Sequence, residues 1–299
     1  MKYRELIDRS TLVVTGCIGG NVNEYLNELD CRLYCNKIFY DKFDKLVVHY
    51  NKINSEIKDS EFEEVRDIYK KYFPDCIFLS SHTNRGWIFG GIDSLKTLYS
   101  YVVNNIDVDY VWFATDDFLL KENFLDIDFG DEEYDFFGLP FFGIGGIEKD
   151  TKGTMDVDTF IKKYKKDYLL PQYSFHITRT DAITFFLMLE SDEADSRYNK
   201  WVKSDINDQR EFTVSTERLL CETIEKNKLN CKLIIEDIEP LVTEVINFNI
   251  IDGAHKNIFF TEYGLCHWAF FNEQVLCLGE GEARLASVKI TREGKERWL

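Results

Sequence analysis

Tyr110-Val-Trp-Phe-Ala-Thr-Asp-Asp-Phe118 is an apolar run, Tyr110 to Ala114, that stops abruptly at two adjacent carboxylates, Asp116 and Asp117. A buried strand that delivers acids at its carboxyl end is how open α/β sheets build sites. The strand fixes the position, and the turn after it exposes the side chains. Two buried acids without partners repel, so such a pair meets a cation or faces a cleft. In the plainer reading, the pair opens a turn and caps the next element. The segments upstream weigh in favour of a site.

Working outward, Thr11 to Cys17 is a β-branched run leading into Gly16, Gly19 and Gly20. Asn21 to Leu29 reads as a short helix with Tyr25, Leu26 and Leu29 inward. Lys45 to Tyr50 is a strand ending at Asn51. Ser60 can cap a helix in which Phe62, Val65, Tyr69 and Tyr72 share a face, and Pro74 stops it. Cys76 to Ser80 is another strand, and Ile92, Leu95, Tyr99, Val102, Val103 and Ile106 then repeat at helical spacing. This strand–helix rhythm predicts an α/β fold with a mostly parallel, doubly wound sheet. In such a sheet the segments after Cys17, Tyr50, Ser80 and Thr115 gather at the one edge where ligands bind. Downstream, strands are expected over Asp135–Phe142, Gln172–Thr178 and Cys231–Ile235, with helices over Asp181–Leu189 and Thr216–Asn227.

The chain has 299 residues, 44% apolar and 15% aromatic, a globular composition with four prolines and no low-complexity linker. Its net charge of −17 argues against nucleic acid and anionic membrane surfaces as partners, because both need a Lys/Arg face to displace counterions. A small anion can still bind with local help from a metal ion, an Arg or backbone N–H groups. Eight cysteines, none in a Cys-x-x-Cys pair, read as reduced core thiols rather than a zinc site. Met1-Lys-Tyr-Arg-Glu carries charge where a signal peptide needs an apolar core, and no apolar run reaches membrane-spanning length. The expected location is cytoplasmic.

Three strand ends carry candidate chemistry. Gly16-Cys-Ile-Gly-Gly20 reads as a tight strand-to-helix turn where a ligand can approach the backbone, but it lacks the Gly-Lys-Ser/Thr of a P-loop. In His49-Tyr50-Asn51, Tyr50 either packs in the core or stacks on a base, and Asn51 suits a ribose or base edge. In Ser80-Ser-His-Thr-Asn-Arg-Gly86, Arg85 is the cation best placed for a diphosphate, unless it is simply exposed on a surface loop.

These pieces, in this order, resemble glycosyltransferases of the GT-A fold. The match lies in Val13-Val-Thr15, Leu46-Val-Val-His-Tyr-Asn51, Asn84-Arg-Gly86 before a helix, the strand ending in Thr115-Asp-Asp117, and Lys121-Glu-Asn-Phe-Leu125 after it. Such enzymes carry Asp-x-Asp or a variant of it there, and this chain has Thr115 at the first position. The resemblance implies a GT-A-like domain over residues 1–240, divided into a nucleotide-sugar half (1–125) and an acceptor half (126–240). It leaves 241–299 as a C-terminal extension on the same domain. It implies Mn2+ or Mg2+ held by Asp117, with His267 completing the shell, and Asp116 touching the sugar or ribose at the catalytic centre. The nucleotide-sugar donor would lie over Thr15, Tyr50, Asn51, Asn84 and Arg85. A glycan or other hydroxyl acceptor would lie near His176, with Glu217 as base and Asp181 and Glu222 as rivals for that role. In plainer readings Glu217 only complements a helix dipole, and His267 and His176 are core residues. A sugar nucleotidyltransferase and a non-catalytic glycan-binding module remain as alternatives.

Overall fold

The computed structural model describes residues 3–18, 22–52, 58–81, 86–116, 118–120, 133–140, 171–187, 195–196, 198–200, 203, 219–233, 265–267, 275–278, 285–290 and 296–298. Its strands are β1 (Ser10–Ile18), β2 (Leu46–Lys52), β3 (Ile77–Ser81), β4 (Tyr110–Thr115), β5 (Phe118–Leu120), β6 (Phe136–Pro140), β7 (Pro171–Arg179) and β8 (Cys231–Leu233). Beyond these come β9 (Leu265–His267), β10 (Val275–Leu278), β11 (Leu285–Ile290) and β12 (Glu296–Trp298). The helices are α1 (Tyr3–Ile7), α2 (Val22–Tyr40), α3 (Asp59–Tyr72), α4 (Gly86–Asn105), α5 (Ile183–Leu187, after a 3-10 turn Thr180–Ala182) and α6 (Leu219–Asn227).

Seven strands form one sheet in the order β3-β2-β1-β4-β7-β6-β8. All run one way except β7, which is antiparallel to both β4 and β6. This mixed, mostly parallel sheet flanked by helices is the α/β class expected from the sequence. Strand alternation explains why the run Tyr110–Ala114 is apolar throughout. Tyr110, Trp112 and Ala114 enter the core that also holds Leu29 and Leu33 of α2 and Phe62, Val65 and Tyr69 of α3. Val111 and Phe113 enter the opposite core, with Leu95, Tyr99 and Val102 of α4, Ile183 of α5 and Leu220 of α6. Each of these strand residues finds an apolar layer. The Trp112 indole N–H, buried there, donates to Ser10 Oγ at 3.0 Å.

Several boundaries differ from expectation for physical reasons. α2 runs to Tyr40, well past Leu29, because its buried face includes Arg32 and Asn36, which interrupt the apolar period. Gly16 lies inside β1 rather than in a turn. α3 begins at Asp59, where the Lys58 N–H donates to Glu61 Oε2 at 2.6 Å, so Ser60 sits within the first turn instead of capping it. Val103, expected inward, is 43% exposed, while Leu98 takes its place in the core. α6 is described from Leu219, and its expected start at Thr216 lies outside the described residues.

Beyond β8, β9 pairs antiparallel with β5, and β10, β11 and β12 form an antiparallel three-stranded sheet. Cys17, Cys76 and Cys231 are free thiols. Among the described residues no helix is long and apolar enough to cross a membrane.

His49 of β2 is buried between sheet and α4, its Nδ1 sharing a 2.7 Å hydrogen bond with Ser94 Oγ. Burial lowers its pKa from 6.5 to about 4. The unfolded chain therefore binds this proton first. The stability carried by neutral His49 is complete above pH 6.5 and is lost as pH falls toward 4, by at most about 3 kcal/mol. His49→Asn keeps a partner for Ser94 and removes the titration. Melting curves from pH 7 to 4 are expected to fall less steeply for the variant, and parallel curves would contradict the assignment.

Candidate functional site

The carboxyl ends of β1, β2, β3 and β4 share one edge of the sheet. From β1 the chain crosses through α2 to β2 on one side, whereas β4 is bordered on its other side by β7 and β6. The order thus reverses between β1 and β4, and the crevice outside those two strand ends is where open α/β sheets take ligands. Thr15 faces His49 on one side and Thr115 on the other, Gly16 pairs with Tyr50, and Cys17 pairs with Asn51. Asp116 follows β4 directly, and its N–H donates to the Thr15 carbonyl at 2.8 Å.

Asp116 is 8% exposed, and its carboxylate is engaged from several elements at once. Its Oδ2 accepts from the Tyr25 hydroxyl of α2 at 2.5 Å and from the Tyr50 hydroxyl of β2 at 2.8 Å. The Arg32 guanidinium of α2, almost fully buried, lies 3.5 Å from the same oxygen. Arg32 also sits 5.3 Å over the Tyr25 ring centroid, a cation–π contact. Burial, and next the charge of Asp116, raise both Tyr25 and Tyr50 well above the usual phenol value. Both hydroxyls therefore keep their protons and act as donors. The cluster unites chain positions up to 91 residues apart.

Gly16 lets this cluster form. A Cβ there would meet Tyr50 Cζ at 2.5 Å and Asp116 Oδ2 at 2.7 Å. Gly16→Ala forces ring and carboxylate apart and is expected to cost about 1–3 kcal/mol, as overpacking does elsewhere. Urea unfolding checks this, and an unchanged midpoint would show slack in the cluster.

The residues expected at the site divide into three groups. Thr15, Tyr50, Asn51 and Asp116 come together at the edge, but all are buried. Tyr50 offers no face to a base: its ring stacks on Phe78 at 5.8 Å and meets Tyr69 edge-on, and its hydroxyl serves Asp116. Asn51 donates to the Gly90 carbonyl of α4 at 3.4 Å. Asp116 is an anchored buried charge rather than an open contact for sugar or ribose.

The second group lies away from the edge. His176 is fully buried on β7, its ring between Phe113 at 4.8 Å and Phe136 at 5.0 Å, with Nε2 2.6 Å from the Tyr99 hydroxyl. It belongs to the core, as the plainer reading had it, and not to an acceptor surface. Asp181 is exposed, pairs with Arg179 at 2.6 Å, and follows the end of β7 that meets the start of β4. It therefore sits at the opposite edge from Asp116 and is no rival for the base.

The third group, Asn84, Arg85, Asp117 and Glu217, lies outside the described residues. Glu222 falls within α6, and His267 ends β9. In the β5–β9 ladder His267 stands opposite Phe118. Among the described residues no three His, Cys, Asp or Glu side chains gather as a metal site.

Sequence reasoning missed Tyr25 as a ligand of Asp116, and missed Arg32 altogether. The signal was present: Tyr25, Leu29, Arg32 and Asn36 recur at helical spacing, and a charged residue on a buried stripe needs an acid.

No family model matches the sequence, and no curated protein matches it. Among solved structures the chain is similar to the inositol-1-phosphate CTP transferase from T. maritima, with 12% identity, 44% of this chain and 52% of that chain covered, and a TM-score of 0.32. It is also similar to the WbbM bifunctional glycosyltransferase in its apo form, with 13% identity, 60% and 33% covered, and a TM-score of 0.32. The chain thus spans about half the length of the first and a third of the second. At these TM-scores the likeness is loose, and the functional reading rests on the residues of the site itself.

Proposed function

We propose that the chain is a metal-dependent glycosyltransferase that moves a sugar from a nucleoside-diphosphate donor to a glycan or other hydroxyl acceptor. The observation that carries this reading is a carboxylate at the switch point of the sheet, followed in the sequence by a second acid. Asp116 is tied down at the end of β4 beside β1, and Asp117 is the next residue in the chain. A chain of charge −17 needs a local cation to hold a diphosphate. Asp117 supplies a carboxylate oxygen, and the Phe118–His267 pairing supports His267 as an imidazole ligand. This donor set suits Mn2+, and Mg2+ through its oxygens. When bound, the ion neutralises the charge that develops on the departing diphosphate.

Arg85 and Asn84, which lie between β3 and α4 in the sequence, contact the diphosphate and sugar in this reading. Thr15 borders the nucleoside side. Glu217, just before α6, takes the proton of the acceptor hydroxyl as its oxygen bonds to the anomeric carbon and the sugar–phosphate bond breaks toward the diphosphate.

A thermal-shift screen of nucleoside diphosphates and nucleotide sugars, with and without Mn2+, tests this, because a ligand selective for the folded chain raises its melting temperature. Metal-dependent stabilisation by one nucleotide sugar, with release of its nucleoside diphosphate, is the expected result. Pyrophosphate release from a nucleoside triphosphate would instead show a nucleotidyltransferase. Glycan affinity without turnover would show a binding module.

A further inference from the structure

We infer that His49 is an acid-sensitive latch on the first half of α4: protonation of its buried ring releases residues 86–94 from β2 while the rest of the fold stays closed. The latch spans the seam between sheet and helix. His49 is 1% exposed, and its Nδ1 shares a 2.7 Å hydrogen bond with Ser94 Oγ, which is buried to the same degree. Its Nε2 is buried too and has no partner among the described residues. Two residues further along β2, Asn51 reaches the Gly90 carbonyl at 3.4 Å, long for a hydrogen bond.

These two contacts fasten a weak stretch of helix. Gly90 and Gly91 lie side by side in its second turn, and each glycine costs a helix interior about 1 kcal/mol relative to alanine. The second half of α4 is held more firmly. Leu98, Tyr99, Val102 and Ile106 enter the core shared with Val111 and Phe113. A segment with weak propensity and few fastenings is where local opening starts.

Neutral His49 suits this seam, and charged His49 does not. β1 and β3 place Thr15 and Leu79 beside it in the ladder, and neither titrates. On α4, Asp93 and Lys96 flank Ser94, both part-exposed, and the Tyr99 hydroxyl is engaged with His176. None of these groups supports an imidazolium; burial alone sets the pKa at about 4 instead of 6.5. An imidazolium needs acceptors for two N–H groups, and water supplies them once the helix lifts. The opened segment titrates at the ordinary value. Opening therefore gains population as pH falls below 6.5 and gains no more below about 4. Asn51 belongs to the edge where the parallel strands end, so acid loosens one wall of that edge.

Hydrogen exchange read by mass spectrometry on the full-length chain tests the latch at pH 8 and pH 5, with protection factors corrected for the intrinsic pH dependence of exchange. Protection over residues 86–94 is expected to fall about thirtyfold, the ratio that pKa values of 6.5 and about 4 give across that interval. Residues 98–105, and α3 on the opposite face of the sheet, are expected to keep their protection. His49→Asn is expected to abolish the fall over residues 86–94. If that variant does not fold, His49→Leu, which extends the apolar layer there, takes its place. An unchanged protection over residues 86–94, or the same fall in a folded His49 variant, would overturn the latch. An equal fall in α3 would overturn it as well, because His49 would then titrate through global unfolding.

Discussion

Asp117→Ala is expected to lower metal-dependent donor turnover by about a thousandfold, the upper range for losing one group that stabilises charge in the transition state. The melting temperature without ligand is expected to stay close to that of the wild type. The bonds to Tyr25, Tyr50 and Arg32 are made by the Asp116 carboxylate, which the substitution keeps. Turnover assayed over a range of Mn2+ concentrations, alongside a thermal melt, separates the outcomes. Full activity in the variant would end the glycosyltransferase reading. Lost activity with a collapsed melt would make Asp117 a structural residue instead.

Arg32→Met is expected to destabilise the fold by about 3–5 kcal/mol, the usual cost of stranding one member of a buried ion pair. Arg32 is nearly inaccessible, and its partner Asp116 is buried too, so water cannot replace the lost charge cheaply. Adding Asp116→Asn to Arg32→Met removes the stranded charge while leaving an oxygen for Tyr25 and Tyr50 to donate to. The double variant is therefore expected to be more stable than Arg32→Met alone. Urea midpoints of the wild type, both single variants and the double variant give the coupling energy. Strictly additive effects would show that the two charges do not interact across the 3.5 Å gap.

Much of the fold was legible because it depends on local periodicity. β1, β2 and β4 read as continuous apolar runs since both of their faces are covered, and α3 read as a helix because Phe62, Val65 and Tyr69 return to one side. α2 was legible over its first half alone. Its second half carries Arg32 and Asn36 on the buried face, and periodicity counts these as breaks. The edge that gathers Thr15, Tyr50, Asn51 and Asp116 was also legible, since parallel strands deliver their carboxyl ends to one side. The role of each residue there was not. Tyr50 and His176 carry the same atoms whether they stack on a ligand or on Phe78, Phe113 and Phe136, and the choice depends on neighbours distant in the chain.

The sequence by itself determined the α/β rhythm, the mostly parallel sheet and the placing of two acids at a strand end, because these depend on side-chain polarity at short, regular spacings. The tertiary structure alone decided that Asp116 is buried. Its partners Tyr25, Arg32 and Tyr50 stand 91, 84 and 66 residues away in the chain, and the sheet register and the packing of α2 bring them together. A buried charge is tolerated only where such partners converge, and that convergence has no signature in the local order of residues.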